Sequence, residues 1–178
     1  MGKRILTILS IFCLELTLFS TSSWAEEKFK IAQNHPKEPA INGPRIVGTT
    51  PGRPFLFLIP ATGEAPLSYS AKNLPKGLKL DSKTGIISGS LEQEGTFAVE
   101  LQVKNDRGIA KRNLVIVGGK NKLALTPPMG WNSWNVWGCA VDEDKVRQTI
   151  DAMVSTGLAN YGYQYVNIDD CWMNGRSE

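Results

Sequence analysis

Histidine is almost missing from this chain: His35 is the only one in 178 residues. Cysteine is scarce too, limited to Cys13, Cys139 and Cys171. Cys139 and Cys171 stand 32 residues apart, which is no zinc-ligand spacing, and His35 lies far upstream of both. A metal centre built from these side chains is therefore not expected. Basic clusters are also lacking. Twenty Lys and Arg against 17 Asp and Glu give a formal charge of only +3, with nothing in its distribution that points to nucleic acid. The expected partner is neutral.

What is present begins with an export signal. Lys3 and Arg4 precede an apolar stretch from Ile5 to Phe19, broken only by Thr7, Ser10, Glu15 and Thr17. Ser23-Trp24-Ala25 then places small residues at −3 and −1 of a cut before Glu26. An uncleaved anchor is the alternative, but a spanning helix needs ~20 apolar residues and this stretch is shorter. Residues 1–25 thus read as a signal peptide of an exported protein, periplasmic or secreted. Its removal takes away two cations and one anion, leaving +2. Phe12 before Cys13 does not fit a lipoprotein site, so Cys13 leaves with the signal. Cys139 and Cys171 remain as an even pair that an oxidising compartment can join. Such a bond would tie the loop after one strand to the loop after the next.

Residues 26–59 read as an irregular segment with some strand. His35-Pro36, Glu38-Pro39, Gly43-Pro44 and Pro51-Gly52-Arg53-Pro54 interrupt any helix. Phe55-Leu56-Phe57-Leu58-Ile59 is a continuous apolar run with the length and flanks of a buried strand. From Leu67 the pattern is all β. Phe97, Val99, Leu101 and Val103 alternate with Ala98, Glu100 and Gln102, and Asp81–Gly85 and Asn105–Gly108 supply turns. Strands at this spacing predict an antiparallel sandwich over 60–118. The segment Gly-Leu-Lys-Leu-Asp-Ser-Lys-Thr-Gly followed by Ile-Ser-Gly-Ser-Leu resembles immunoglobulin-like modules of secreted microbial proteins. Related modules sometimes bind calcium, but Asp81 and Asp106 sit where Asp is simply a good turn former. The expected role is a spacer or interaction module.

Gly118 to Lys122 is small, polar and charged, and residues 119–122 read as a linker. Four of the five tryptophans lie beyond it. Met129-Gly130-Trp131 reads as a strand. Asp142 is positioned as an N-cap, with Glu143 and Asp144 in the first turn, where the helix dipole favours acids. Val146, Ile150, Met153 and Val154 form one helical stripe, and Gly157 ends the helix. Tyr163–Ile168 predicts a second strand. The result is one βαβ unit over 123–178, the start of a (β/α)8 barrel, in which loops at the C-terminal ends of strands carry chemistry.

Two segments within this unit are distinctive. Thr-Pro-Pro-Met-Gly-Trp-Asn-Ser-Trp and Gly-Tyr-Gln-Tyr-Val-Asn-Ile-Asp-Asp-Cys-Trp resemble the opening of the glycoside hydrolase family 27 catalytic domain, the melibiase-type α-galactosidases. The resemblance implies retaining hydrolysis of terminal α-linked galactose, an α-galactoside as partner and no cofactor. It also implies that Trp134 lines the sugar subsite, that Asp169 and Asp170 accept hydrogen bonds from sugar hydroxyls, and that Cys139 and Cys171 form a disulfide. The chemistry suits these roles: an indole face is an apolar platform, and carboxylates accept strong bonds from paired hydroxyls. Adjacent strand residues point to opposite faces, so Asp169 and Asp170 reach one ligand only if the strand ends there and turns. Trp131, Trp137 and Trp172 read as core or rim packing, and Asn132 and Asn135 as either site groups or loop caps.

A retaining glycosidase needs two carboxyl groups about 5–5.5 Å apart, which the resemblance puts beyond Glu178. The expectation is an amino-terminal fragment of a longer enzyme, inactive by itself. The rival reading is a secreted, non-catalytic module that binds carbohydrate or protein through the sandwich. Against it, Phe55, Phe57, Tyr69 and Phe97 all fit core positions and leave no exposed aromatic row.

Overall fold

The computed structural model describes residue 32 and residues 35–173. The proposed signal peptide at 1–25 lies outside the described residues. Eleven strands and two α-helices are described: β1 (Ala40–Ile41), β2 (Ile46–Thr49), β3 (Pro54–Leu58), β4 (Ala61–Thr62), β5 (Ser68–Lys72), β6 (Leu78–Leu80), β7 (Ile86–Ser90), β8 (Gly95–Asn105), β9 (Gly108–Gly118), β10 (Gly130–Asn132), α1 (Trp134–Trp137), α2 (Glu143–Ser155) and β11 (Tyr165–Asn167).

The first nine strands build an immunoglobulin-like sandwich. One sheet runs β2-β9-β8-β5 and the facing sheet β3-β7-β6, with β1 and β4 paired at one end. The long β8–β9 hairpin is its spine. Asn105 sets its turn: the side-chain oxygen accepts from the N–H groups of Arg107 and Gly108, and Nδ2 donates to the carbonyls of Lys37 and Glu64. Asp81 does the same for the β6–β7 turn by accepting from Lys83 and Thr84. These bonds hold the Asp81 carboxyl below its ordinary value. The turn-former reading of Asp81 accounts for its contacts.

The alternation seen in the sequence becomes the core. Val99, Leu101 and Val103 of β8 are buried against Leu114 and Ile116 of β9, Ile87 of β7, and Phe55 and Phe57 of β3. Phe97 and Tyr69 pack against this cluster while partly exposed.

Three expectations change. Strand pairing starts well before residue 60, since β2 pairs with β9 and β3 with β7. The Phe55–Ile59 strand is present as β3, but the proline-rich turns between 42 and 54 obscured how it and the shorter β1 and β2 pair, since their partners lie about 20 to 70 residues later in the chain. The sandwich is not wholly antiparallel, because β2 runs parallel to β9. The Phe55–Ile59 run is not buried on both faces: Phe55 and Phe57 point into the core, but Leu56 is 78% exposed. A continuous apolar run does not reveal that one side of its sheet is open.

After β9 an irregular stretch over 119–129 leads to the carboxy-terminal unit. The Gly119 N–H donates to the Thr49 carbonyl, which extends the β2–β9 pairing into the expected linker. Beyond it lies the βαβ unit, with β10 and β11 parallel and adjacent. Helix α2 has its N-cap at Asp142, and Gly157 lies just past its end in the left-handed region, as the sequence predicts. The second strand is shorter than Tyr163–Ile168. The Tyr163 N–H is taken up by a turn bond to the Leu158 carbonyl, and the Gln164 N–H donates across to the Met129 carbonyl just before β10. Of the apolar stripe on α2 only Met153 is buried, while Ile150 and Val154 are exposed.

Candidate sugar-binding site

Strands β10 and β11 deliver the candidate residues to one edge because they run in the same direction. Gly130, Trp131 and Asn132 lie opposite Tyr165, Val166 and Asn167. Gly130 permits this pairing, since a Cβ there would collide with the Tyr165 carbonyl. The two strands therefore end side by side, with Ser133 and Trp134 leaving β10 next to Asp169 and Asp170 leaving β11.

Ser133 is completely buried. Its hydroxyl accepts from the Asp169 N–H at 2.9 Å, and its N–H donates to the Asn167 carbonyl at 3.1 Å. Its own carbonyl accepts from Trp137 and opens α1. Neighbouring Asn132 bridges two of the expected sugar contacts. Its side-chain oxygen accepts from the Trp134 N–H at 2.9 Å, and its Nδ2 donates to Asp169 Oδ2 at 2.8 Å. Both residues are short polar types that bond to local backbone. Sequence patterning left Asn132 open between site group and cap and gave Ser133 no role; the structure makes Asn132 both a turn cap and a brace for Asp169.

The second strand ends at Asn167, and the chain then turns. Cys171 has φ 67°, in the left-handed region, so the turn falls immediately after the two aspartates. The Asp170 N–H donates to Asp169 Oδ1 at 2.8 Å, and the Cys171 N–H donates to Asp170 Oδ1 at 2.7 Å. The strand-end turn that the pair requires is present. Both aspartates are exposed, and Trp134 is 46% exposed.

A disulfide joins Cys139 to Cys171 with Cα atoms 4.9 Å apart. It ties the 3-10 turn Gly138–Ala140 after α1 to the turn after β11, on the same edge as the aspartates. Lys145 closes the other side of that loop. Its Nζ lies 5.6 Å from the centroid of the Trp137 ring and donates to the Ala140 carbonyl and to Asp142. Trp137 and Trp131 are half-buried, in keeping with packing roles, whereas Trp172 is 63% exposed. Among the described residues no cluster of three or more His, Cys, Asp or Glu could hold a metal ion.

Comparison with known proteins places both parts of this arrangement. Residues 126–178 match the family model "Alpha galactosidase A", and residues 38–117 match "Putative Ig domain". The segment is 68% identical over 53 residues to an alpha-galactosidase of Cyamopsis tetragonoloba, covering 30% of this chain and 13% of the relative. The carboxy-terminal part is the start of an α-galactosidase-type (β/α) barrel. A second relative, alpha-galactosidase A of Cellvibrio japonicus, is 56% identical over 57 residues, or 32% of this chain and 14% of its own. A solved "putative alpha-galactosidase" of Bacteroides fragilis superposes with TM-score 0.73 at 48% identity, covering 79% of this chain and 30% of that one. The match thus spans about one-seventh of the length of these curated relatives. The α-galactosidase-type segment comprises the first two strands and their edge, and the site residues lie within it.

Proposed function

We propose that this chain is part of an exported α-galactosidase-type retaining glycoside hydrolase, in which Trp134, Asp169 and Asp170 bind the terminal galactose. The observation that carries the reading is the bridge through Asn132, which holds a half-exposed tryptophan and a carboxylate together at the C-terminal edge of two parallel strands. An apolar sugar face stacks on the indole, and the carboxylates accept bonds from paired hydroxyls, which distinguishes epimers of a sugar. The Cys139–Cys171 bond supports export, because disulfides persist in oxidising compartments.

In this reading Asp169 and Asp170 bind and do not catalyse. Both leave through one turn as neighbours in sequence, and they match the binding pair of the family's opening motif. A retaining mechanism instead needs a nucleophile and an acid/base about 5–5.5 Å apart, flanking the scissile bond. The test is to read the gene past codon 178 and assay its full product beside the 178-residue chain on a chromogenic α-galactoside. Hydrolysis by the longer product alone is expected. Within that product Asp170→Asn should raise KM by roughly tenfold or more, the loss of a charge-assisted bond. Hydrolysis by the 178-residue chain would overturn the assignment of the two aspartates as binding groups only.

A further inference from the structure

Among the described residues, one short loop of the α-galactosidase-type segment, Asn160–Gln164, is hydrogen-bonded to the sandwich at both of its ends. Gln164 Nε2 donates to the Leu58 carbonyl at 2.9 Å, across 106 residues of sequence. Asn42 Nδ2 donates to the Asn160 carbonyl at 2.9 Å. Between these two bonds Gly162 is buried, with φ 100°, against Gly43. A Cβ on Gly162 would lie 2.8 Å from Gly43 Cα and 3.9 Å from the Pro60 ring. Backbone meets backbone here, which only glycine allows. The sandwich side is itself fixed: the Asn42 N–H donates to the Pro60 carbonyl at 2.8 Å, and Pro60 is fully buried.

The position of this loop decides what the contact does. Asn160–Gln164 leads into β11, whereas Asp169 and Asp170 leave it, so the contact and the sugar site lie at opposite ends of the same strand. A strand advances about 3.3 Å per residue, so the three residues of β11 alone separate them by roughly 10 Å. In (β/α) barrels the C-terminal ends of strands carry chemistry and the N-terminal ends carry stability. One superposition on the Bacteroides fragilis structure covers 79% of this chain, more than either family match alone, so both units fit there in a single placement.

We propose that the immunoglobulin-like module is a fixed support, docked through Asn160–Gln164 on the N-terminal face of the barrel sheet. It is not a tethered binding module that presents carbohydrate to Trp134 and Asp169. Docking by two hydrogen bonds and a glycine–glycine contact holds the entry of β11, and so the register that brings Asp169 beside Asn132.

The experiment is amide nitrogen relaxation on the labelled 178-residue chain. Docked units share one tumbling time, giving a ratio of one between sandwich amides and amides of α2 and β11. The double variant Asn42→Asp with Gln164→Glu keeps size but replaces both donors by carboxylate oxygens facing carbonyls. Its ratio should depart from one, with the smaller unit tumbling faster and sandwich amide shifts away from residue 42 unchanged. Separate tumbling in the unaltered chain, or unprotected amides over 160–167, would overturn the docking. So would a double variant whose units still tumble as one.

Discussion

Ser133 and Asn132 show how much of the site rests on single polar atoms. The Ser133 hydroxyl is buried and satisfies the Asp169 N–H, so Ser133→Ala leaves that donor without a partner. A lost bond of this kind costs about 1–2 kcal/mol. Urea unfolding followed by tryptophan fluorescence should report it, because four of the five tryptophans lie in the same unit. An unchanged midpoint would deny Ser133 a positioning role. Trp134, Asp169 and Asp170 were legible as candidates through the resemblance of their two segments to the α-galactosidase family, and their residue types suit a sugar. Ser133 was not, since a serine after a strand looks the same in sequence whether it caps, packs or faces solvent.

At the scale of elements, helix α2 was the most legible piece. Asp142 caps it by accepting from the Lys145 N–H at 2.9 Å, and Arg147 pairs with Glu143 one turn away. The Asp142 carboxyl is held below its ordinary value of 3.8, chiefly by the Lys145 side chain and then by its N–H. A depressed folded value means that the cap contributes fully above pH 3.8 and is lost as pH falls through the lower folded value. Relative exchange protection of the Lys145 amide should drop across that acid window. In Asp142→Ala it should be low throughout and free of this step. A step persisting in the variant would assign the pH response to another group. The strands were less legible. β1, β2 and β3 are two to five residues long and gain their stability from distant partners, a pairing that local pattern does not encode.

For the whole molecule, the disulfide is the clearest lever. It spans 32 residues of sequence and encloses α2 and β11. Loop-closure entropy for that length makes it worth about 3–4 kcal/mol. The paired replacement Cys139→Ser and Cys171→Ser should therefore melt the α-galactosidase-type segment while leaving the sandwich folded, since the core of the sandwich contains no residue of that loop. Exchange protection measured on both units separates the outcomes. Equal loss in both would mean that the two units unfold as one and that the sandwich depends on the barrel start.

The sequence by itself determined the division into a β-rich module and a βαβ segment, the cap and stop of α2, the two segments that carry the candidate site residues and the eligible cysteine pair. Each of these is written locally, in alternation, in helix-end residues or in motifs about a dozen residues long. Tertiary structure alone decided that strands before residue 60 complete the sandwich, that β2 pairs parallel to β9, that Asn132 and Ser133 hold Asp169, and that Gln164 meets Leu58. These contacts join residues 28 (Leu58 to Ile86) to 106 (Leu58 to Gln164) positions apart, and their energy exists only once both partners are in place. The exposed stripe of α2 belongs here as well: Ile150 and Val154 carry the periodicity of a buried face, and a helix buries only the part that a neighbouring element covers.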